Sequence, residues 1–134
     1  MAKASGIAGL KAIPLFEGLS DAALRRIRRL AIEFEAEPGT VLIQPNQPAS
    51  GLFVVEEGSV LVELRGGDRL ELGPGEFFGE LALLNPGKVR AARVRAKTFV
   101  RCLAISRSHF TRLLQEEPKI AIAMLRTLAA RMPA

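Results

Sequence analysis

Phe77-Phe78-Gly79-Glu80-Leu81-Ala82-Leu83-Leu84, followed by Asn85-Pro86-Gly87-Lys88-Val89-Arg90-Ala91-Ala92, is the stretch on which the reading of this chain turns. Gly75 and Gly79 bracket a turn, and a short helix is expected to begin near Glu80. The first N–H groups of a helix have no partner inside it, and the helix dipole places partial positive charge at the same end. Together these make an anion site. Gly79 has no side chain to keep a ligand off the backbone. Arg90 follows a tight turn, where its planar fork suits a phosphate. Glu80 would repel that anion unless it contacts something else, and a sugar hydroxyl meets the need. The residues point to a ribose phosphate with a single negative charge. An ordinary ion pair between Glu80 and Arg90 explains them as well, because Gly-rich turns before helices are common.

Upstream, Ser20 is placed to cap a helix in which Leu24, Ile27, Leu30 and Ala31 recur at helical spacing. Its other face carries Arg25, Arg26, Arg28 and Arg29, read as a solvated face. From residue 32 the period becomes two. Ile32, Phe34 and Ala36 alternate with Glu33, Glu35 and Glu37, so one face is expected to be buried and the other wet. Short strands follow, separated by Pro38-Gly39, Glu56-Glu57-Gly58, Gly66-Gly67-Asp68 and Gly73-Pro74-Gly75. Residues 91–105 read as two strands joined near Lys97-Thr98. Two helices close the chain, one from about Ser106 to Glu116 and one opened by Pro118. The pattern predicts an α+β fold: a jelly-roll-like, eight-stranded antiparallel β-roll flanked by an N-terminal helix and two C-terminal helices. A single domain is expected over residues 1–134. Residues 10–31 would form its N-terminal helical segment, 32–105 the β-roll and 106–132 the C-terminal helices.

The 134 residues and 14.5 kDa suit one domain. Hydrophobic residues at 49% and charged residues at 25% match a soluble globular protein and exclude a disordered chain. No apolar run approaches the ~20 residues that span a bilayer. One cysteine, Cys102, forms no internal disulfide, and a cytoplasmic location is expected. One histidine, His109, excludes most metal and acid/base chemistry, so neither a metal nor a cofactor is expected. The net charge of +5 favours an anionic partner. Trp and Tyr are absent, which argues against a base-stacking nucleic-acid platform.

The quoted stretch resembles the phosphate-binding cassette of the cyclic nucleotide-binding domain family, Phe-Gly-Glu-Leu-Ala followed by Arg-x-Ala-x-Val. Here it reads Phe78-Gly79-Glu80-Leu81-Ala82 and Arg90-Ala91-Ala92-Arg93-Val94, a cassette spanning 78–94. Gly39, Gly58 and Gly75 also fall where the family turns its β-roll. The resemblance implies a non-enzymatic sensor or regulatory domain that binds cAMP. It implies that Glu80 accepts from the ribose 2′-hydroxyl and that Arg90 pairs with the cyclic phosphate. Gly79, Leu81, Ala82 and Ala92 would line that phosphate, and Val62 and Leu72 would wall the ribose and base. Ala91 stands where many members carry Ser or Thr, a hydroxyl that favours cGMP, so cAMP is the expected ligand and cGMP the less favoured one.

Three departures bear on this. Asn46 occupies a loop position usually held by Gly. Arg93 replaces a small residue and adds charge near the site. The last helix is expected to stop near Met132 with no helix-turn-helix after it, so direct DNA binding is not expected. The effector is unspecified, and a homodimer through the C-terminal helix is one arrangement open to it. A transcription-associated or interaction domain of the same fold, with weak or no nucleotide binding, is the alternative. Arg93, Arg95 and Lys97 are read as the solvated face of a strand, Cys102 and Met124 as core, and His109 as a surface or packing residue.

Overall fold

Leu52-Phe53-Val54-Val55 and Cys102-Leu103-Ala104-Ile105 are short apolar runs, the mark of strands covered on both faces. The computed structural model describes residues 7–44, 51–64, 66–79 and 93–131. In it these runs lie in β3 (Gly51–Glu57) and β8 (Val100–Ser106), which pair antiparallel. The edge strands β1 (Ile32–Ala36) and β6 (Phe77–Phe78) complete a sheet of order β1-β8-β3-β6. A second antiparallel sheet has the order β2-β7-β4-β5, from Val41–Ile43, Arg93–Ala96, Val60–Glu63 and Arg69–Leu72. The result is the expected eight-stranded β-roll with flanking helices.

Side-chain alternation along β8 feeds two cores. Leu103 and Ile105 pack with the helices, while Val100 and Cys102 pack toward the second sheet. The helical layer contains α1 (Ala8–Lys11), a 3-10 turn at Pro14–Phe16, α2 (Asp21–Leu30), α3 (Arg107–Glu116) and α4 (Pro118–Arg131). The buried Leu24 and Ile27 of α2, Phe110 and Leu113 of α3, and Ile120 and Met124 of α4 form one cluster with Leu52 and Val54. No helix among the described residues is long and apolar enough to cross a membrane.

Local chemistry starts the helices where the sequence expects. Ser20 Oγ accepts from the Ala23 N–H at 3.1 Å, and Ser106 Oγ accepts from the His109 N–H at 3.3 Å. Each satisfies a donor that the first helical turn leaves open. Ser20→Ala is expected to cost about 1 kcal/mol. Thermal unfolding should show a fall of a few degrees, and an unchanged midpoint would mean that water replaces the cap at no cost.

Three surface expectations are corrected by packing. Ile32 is 69% exposed, because it starts an edge strand just after α2. The Glu33 side chain is only 9% exposed, because its face of β1 lies toward the helical layer. Arg28 leaves the solvated face of α2 and turns toward Glu33 and Glu56. Its neighbour Arg26 forms an ion pair with Glu116 of α3.

Candidate functional site

The approach to the site is built from a turn with few degrees of freedom. Val55 accepts from the Gly75 N–H at 2.7 Å and donates to the Glu76 carbonyl at 2.8 Å. The Gly73 N–H donates to Glu76 Oε1 at 2.8 Å. Two short bonds to β3 thus fix where the chain enters β6. Phe77 and Phe78 then pair with Val54 and Phe53. Gly79 follows at φ +92°, a left-handed conformation that only glycine adopts without strain.

Phe78 is buried and stacks on Phe53, with centroids 5.1 Å apart, while Phe53 meets Phe34 edge-on. That aromatic column anchors the root of the site to the inter-sheet core. Val62 and Leu72 belong to the same core. In the register Val60 faces Leu72 and Val62 faces Leu70, so all four side chains share one face of the second sheet. The structure thus brings Val62, Leu72 and Phe78 together in one apolar layer. Glu80, Leu81, Ala82, Arg90, Ala91 and Ala92 lie outside the described residues, as does Asn46.

Leu70 was missed by the sequence reading. It lies on the face of Val62 and Leu72, yet is 37% exposed. An apolar residue on the inward face that still meets solvent marks an open end of the layer. The Leu70-Glu71-Leu72 alternation carried the signal, but the register with β4 was needed to interpret it.

Arg93, expected to add charge to the site, points elsewhere. It stands opposite Glu63 in the β4–β7 register and donates from Nε to Glu63 Oε1 at 3.0 Å. Arg95 Nη2 lies 3.3 Å from the other Glu63 oxygen. Desolvation opposes ionisation of Glu63, but the Arg93 hydrogen bond and the charges of Arg95 and Arg93 hold its carboxyl below the usual range. Lys97 engages Glu71 at 2.6 Å. The basic stripe of β7 is thus engaged across the outer face by two carboxylates, Glu63 and Glu71.

The far end of α4 reaches the same root. Arg131 Nη2 donates to the Phe77 carbonyl at 2.8 Å, and its guanidinium sits 4.6 Å from the Phe77 ring centre. A helix 54 residues away in sequence is thereby attached two positions before Gly79. Among the described residues no group of three or more His, Cys, Asp or Glu is arranged to hold a metal ion. Cys102 is buried, and burial, with the charge of Glu56, pushes its thiol up to about 12. That leaves it unreactive at neutral pH.

Comparison with known proteins agrees with this architecture. The family model of the cyclic nucleotide-binding domain matches residues 33–117. A cyclic nucleotide-gated potassium channel of Mesorhizobium japonicum is 38% identical over 120 residues, covering 90% of this chain and 33% of the channel. Among solved structures, the regulatory subunit of a cAMP-independent protein kinase A from Trypanosoma brucei superposes with a TM-score of 0.81 at 30% identity. That match covers 95% of this chain and 46% of the other. The catabolite activator protein of Thermus thermophilus gives 0.75 at 28% identity, over 88% and 57% of the two chains. The chain spans about a third of the channel's length and less than half of the kinase subunit's.

Proposed function

The chain belongs to the cyclic nucleotide-binding domain family, and from that premise we propose that it is a non-enzymatic sensor that binds cAMP. The observation that carries the reading is the left-handed Gly79, placed beside an apolar layer and directly ahead of Glu80-Leu81-Ala82 and Arg90. In this reading the ribose and base lie against Val62 and Leu72, with Leu70 at the open end. Glu80 accepts from the ribose 2′-hydroxyl, and Arg90 neutralises the phosphate. Leu81, Ala82 and Ala92 bring small or apolar surface and backbone donors close to the phosphate oxygens. Ala91 offers no hydroxyl there, which favours cAMP over cGMP.

The response is a shift of population between states. A ligand that prefers one arrangement of the segment after Gly79 also acts on Phe77, and through Phe77 on Arg131 and α4. The output is passed to a partner protein or domain. A second reading keeps the fold as an interaction module with weak or no nucleotide binding. It is favoured by one specific observation, the likeness to a kinase subunit described as cAMP-independent.

Isothermal titration calorimetry with cAMP and with cGMP tests the two readings. Intrinsic fluorescence would report little, because the chain has no Trp or Tyr. Saturable binding of cAMP, tighter than that of cGMP, is the expected outcome. No heat from either nucleotide at millimolar concentration would overturn the sensor reading in favour of the interaction module.

A further inference from the structure

The helix-side face of the first sheet holds charge that the proposed site does not use. The pairing of β3 with β8 advances from Val55–Cys102 to Glu57–Arg101, which leaves Glu56 as an extra, bulged residue. A bulge re-aims side chains. Here Glu57 engages Arg101, while Glu56 faces Arg28 of α2 and Glu33 of β1. The Arg28, Glu33 and Glu56 side chains are only 16, 9 and 14% exposed. Their contacts are nevertheless long. Arg28 Nη1 stands 4.0 Å from Glu33 Oε2, and Nη2 stands 3.9 Å from Glu56 Oε2. Arg28 Nε and Nη2, Glu33 Oε2 and Glu56 Oε1 are withdrawn from solvent without a hydrogen-bond partner among the described residues.

One guanidinium between two confined carboxylates does not balance them, and two like charges at close range cannot both ionise cheaply. We propose that Arg28, Glu33 and Glu56 form a proton-sensitive clasp between α2 and the bulge of β3, firm while the Glu56 carboxyl is neutral and looser once it carries charge beside Glu33. The other charged groups around it are engaged. Arg101 is 3.0 Å from Glu35 and 2.6 Å from Glu57. The Cys102 thiol stays neutral. The Glu56 carboxyl is pushed up to about 7, first by burial, then by the neighbouring Glu33 carboxyl, with Arg28 and Arg101 pulling it back in part. Val55, next to Glu56, carries both bonds to the turn that leads to Gly79. The clasp therefore sits one residue from the support of the candidate site.

A carboxyl that titrates higher in the folded than in the unfolded chain binds extra protons on folding. Its contribution is present at low pH and is lost as pH rises from about 4.3, the unfolded value, to about 7. The test is thermal unfolding of the full chain at pH 5 and pH 8, for wild type and Glu56→Gln. Glutamine stands in for the protonated carboxyl at both pH values, and titrating groups remote from the clasp cancel in the comparison. Wild type should lose several degrees more than the variant between the two pH values. Parallel losses would overturn the clasp. If the variant does not fold, carboxyl-carbon NMR of wild type decides. A glutamate titrating within about one unit of 7 supports the proposal, and all glutamates titrating near their ordinary value of about 4.3 overturns it. Neither measurement uses a nucleotide, so failure here leaves the sensor reading standing, and the reverse holds too.

Discussion

Arg90→Ala is expected to weaken cAMP binding by roughly 30-fold or more. Removing one member of a desolvated charge pair costs about 2–5 kcal/mol, mostly because the other charge stays buried without its partner. The cyclic phosphate carries one negative charge, and the proposed reading sets Arg90 against it. Arg90→Lys should recover only part of the loss. An ammonium restores the charge but not the two-pronged geometry that matches two phosphate oxygens. Calorimetry on the three proteins checks this, with unfolding midpoints measured alongside to show that each variant folds. Equal affinity of Arg90→Ala and wild type would remove Arg90 from the site, even if cAMP binds. The Lys variant distinguishes a need for charge from a need for the fork.

Gly58→Ala is expected to lower the thermal midpoint by roughly 10 °C or more, the largest stability effect among the turn glycines. Two costs combine. Gly58 sits at φ +83°, where an L-residue pays about 1–2 kcal/mol. Its added Cβ would also overlap the Phe99 carbonyl oxygen and lie 2.7 Å from Thr98 Oγ1. Those atoms cannot easily give way. Thr98 Oγ1 accepts from the Ser59 N–H at 3.0 Å and donates to the Phe99 carbonyl at 2.8 Å. A total near 3 kcal/mol follows from strain plus a clash held in place. Gly66→Ala separates the two costs. Gly66 has φ +88° but none of the described residues lies within 4 Å of its added Cβ, so backbone strain is the cost expected there. A loss of a few degrees is expected there. Equal losses at the two positions would mean that the Thr98–Phe99 corner relaxes freely.

Much of the fold was legible because its signals are short-range. Ser20 and Ser106 cap helices through donors three residues away, and Pro118 opens α4. Gly39, Gly58 and Gly75 all adopt positive φ, as turns of this kind require. The alternation in β4 and β5 placed Val62 and Leu72 on an apolar face. Arg93 was harder. The sequence shows that it follows Arg90 by three residues, but not that Glu63 waits opposite it on β4. Its charge is spent across the sheet, away from the candidate site.

The residues by themselves determined what local chemistry determines: the order of the elements, the caps, the turns, which side chains share a strand face, and the cassette motif around Gly79. The tertiary structure decided which of those faces would be covered. Glu33, Glu35 and Glu37 share a face, yet the Glu33 side chain is 9% exposed and that of Glu35 51%. The difference comes from α2, whose Arg28 reaches over one end of β1 and not the other. In the same way, Leu70 joined the face of Val62 and Leu72 through its register with β4, and Arg131 at the end of α4 met the Phe77 carbonyl of β6. Alternation fixes the angle between neighbouring side chains, because it follows from the pleat of the strand. Burial depends on what else the chain brings to that face, and those contacts span tens of residues.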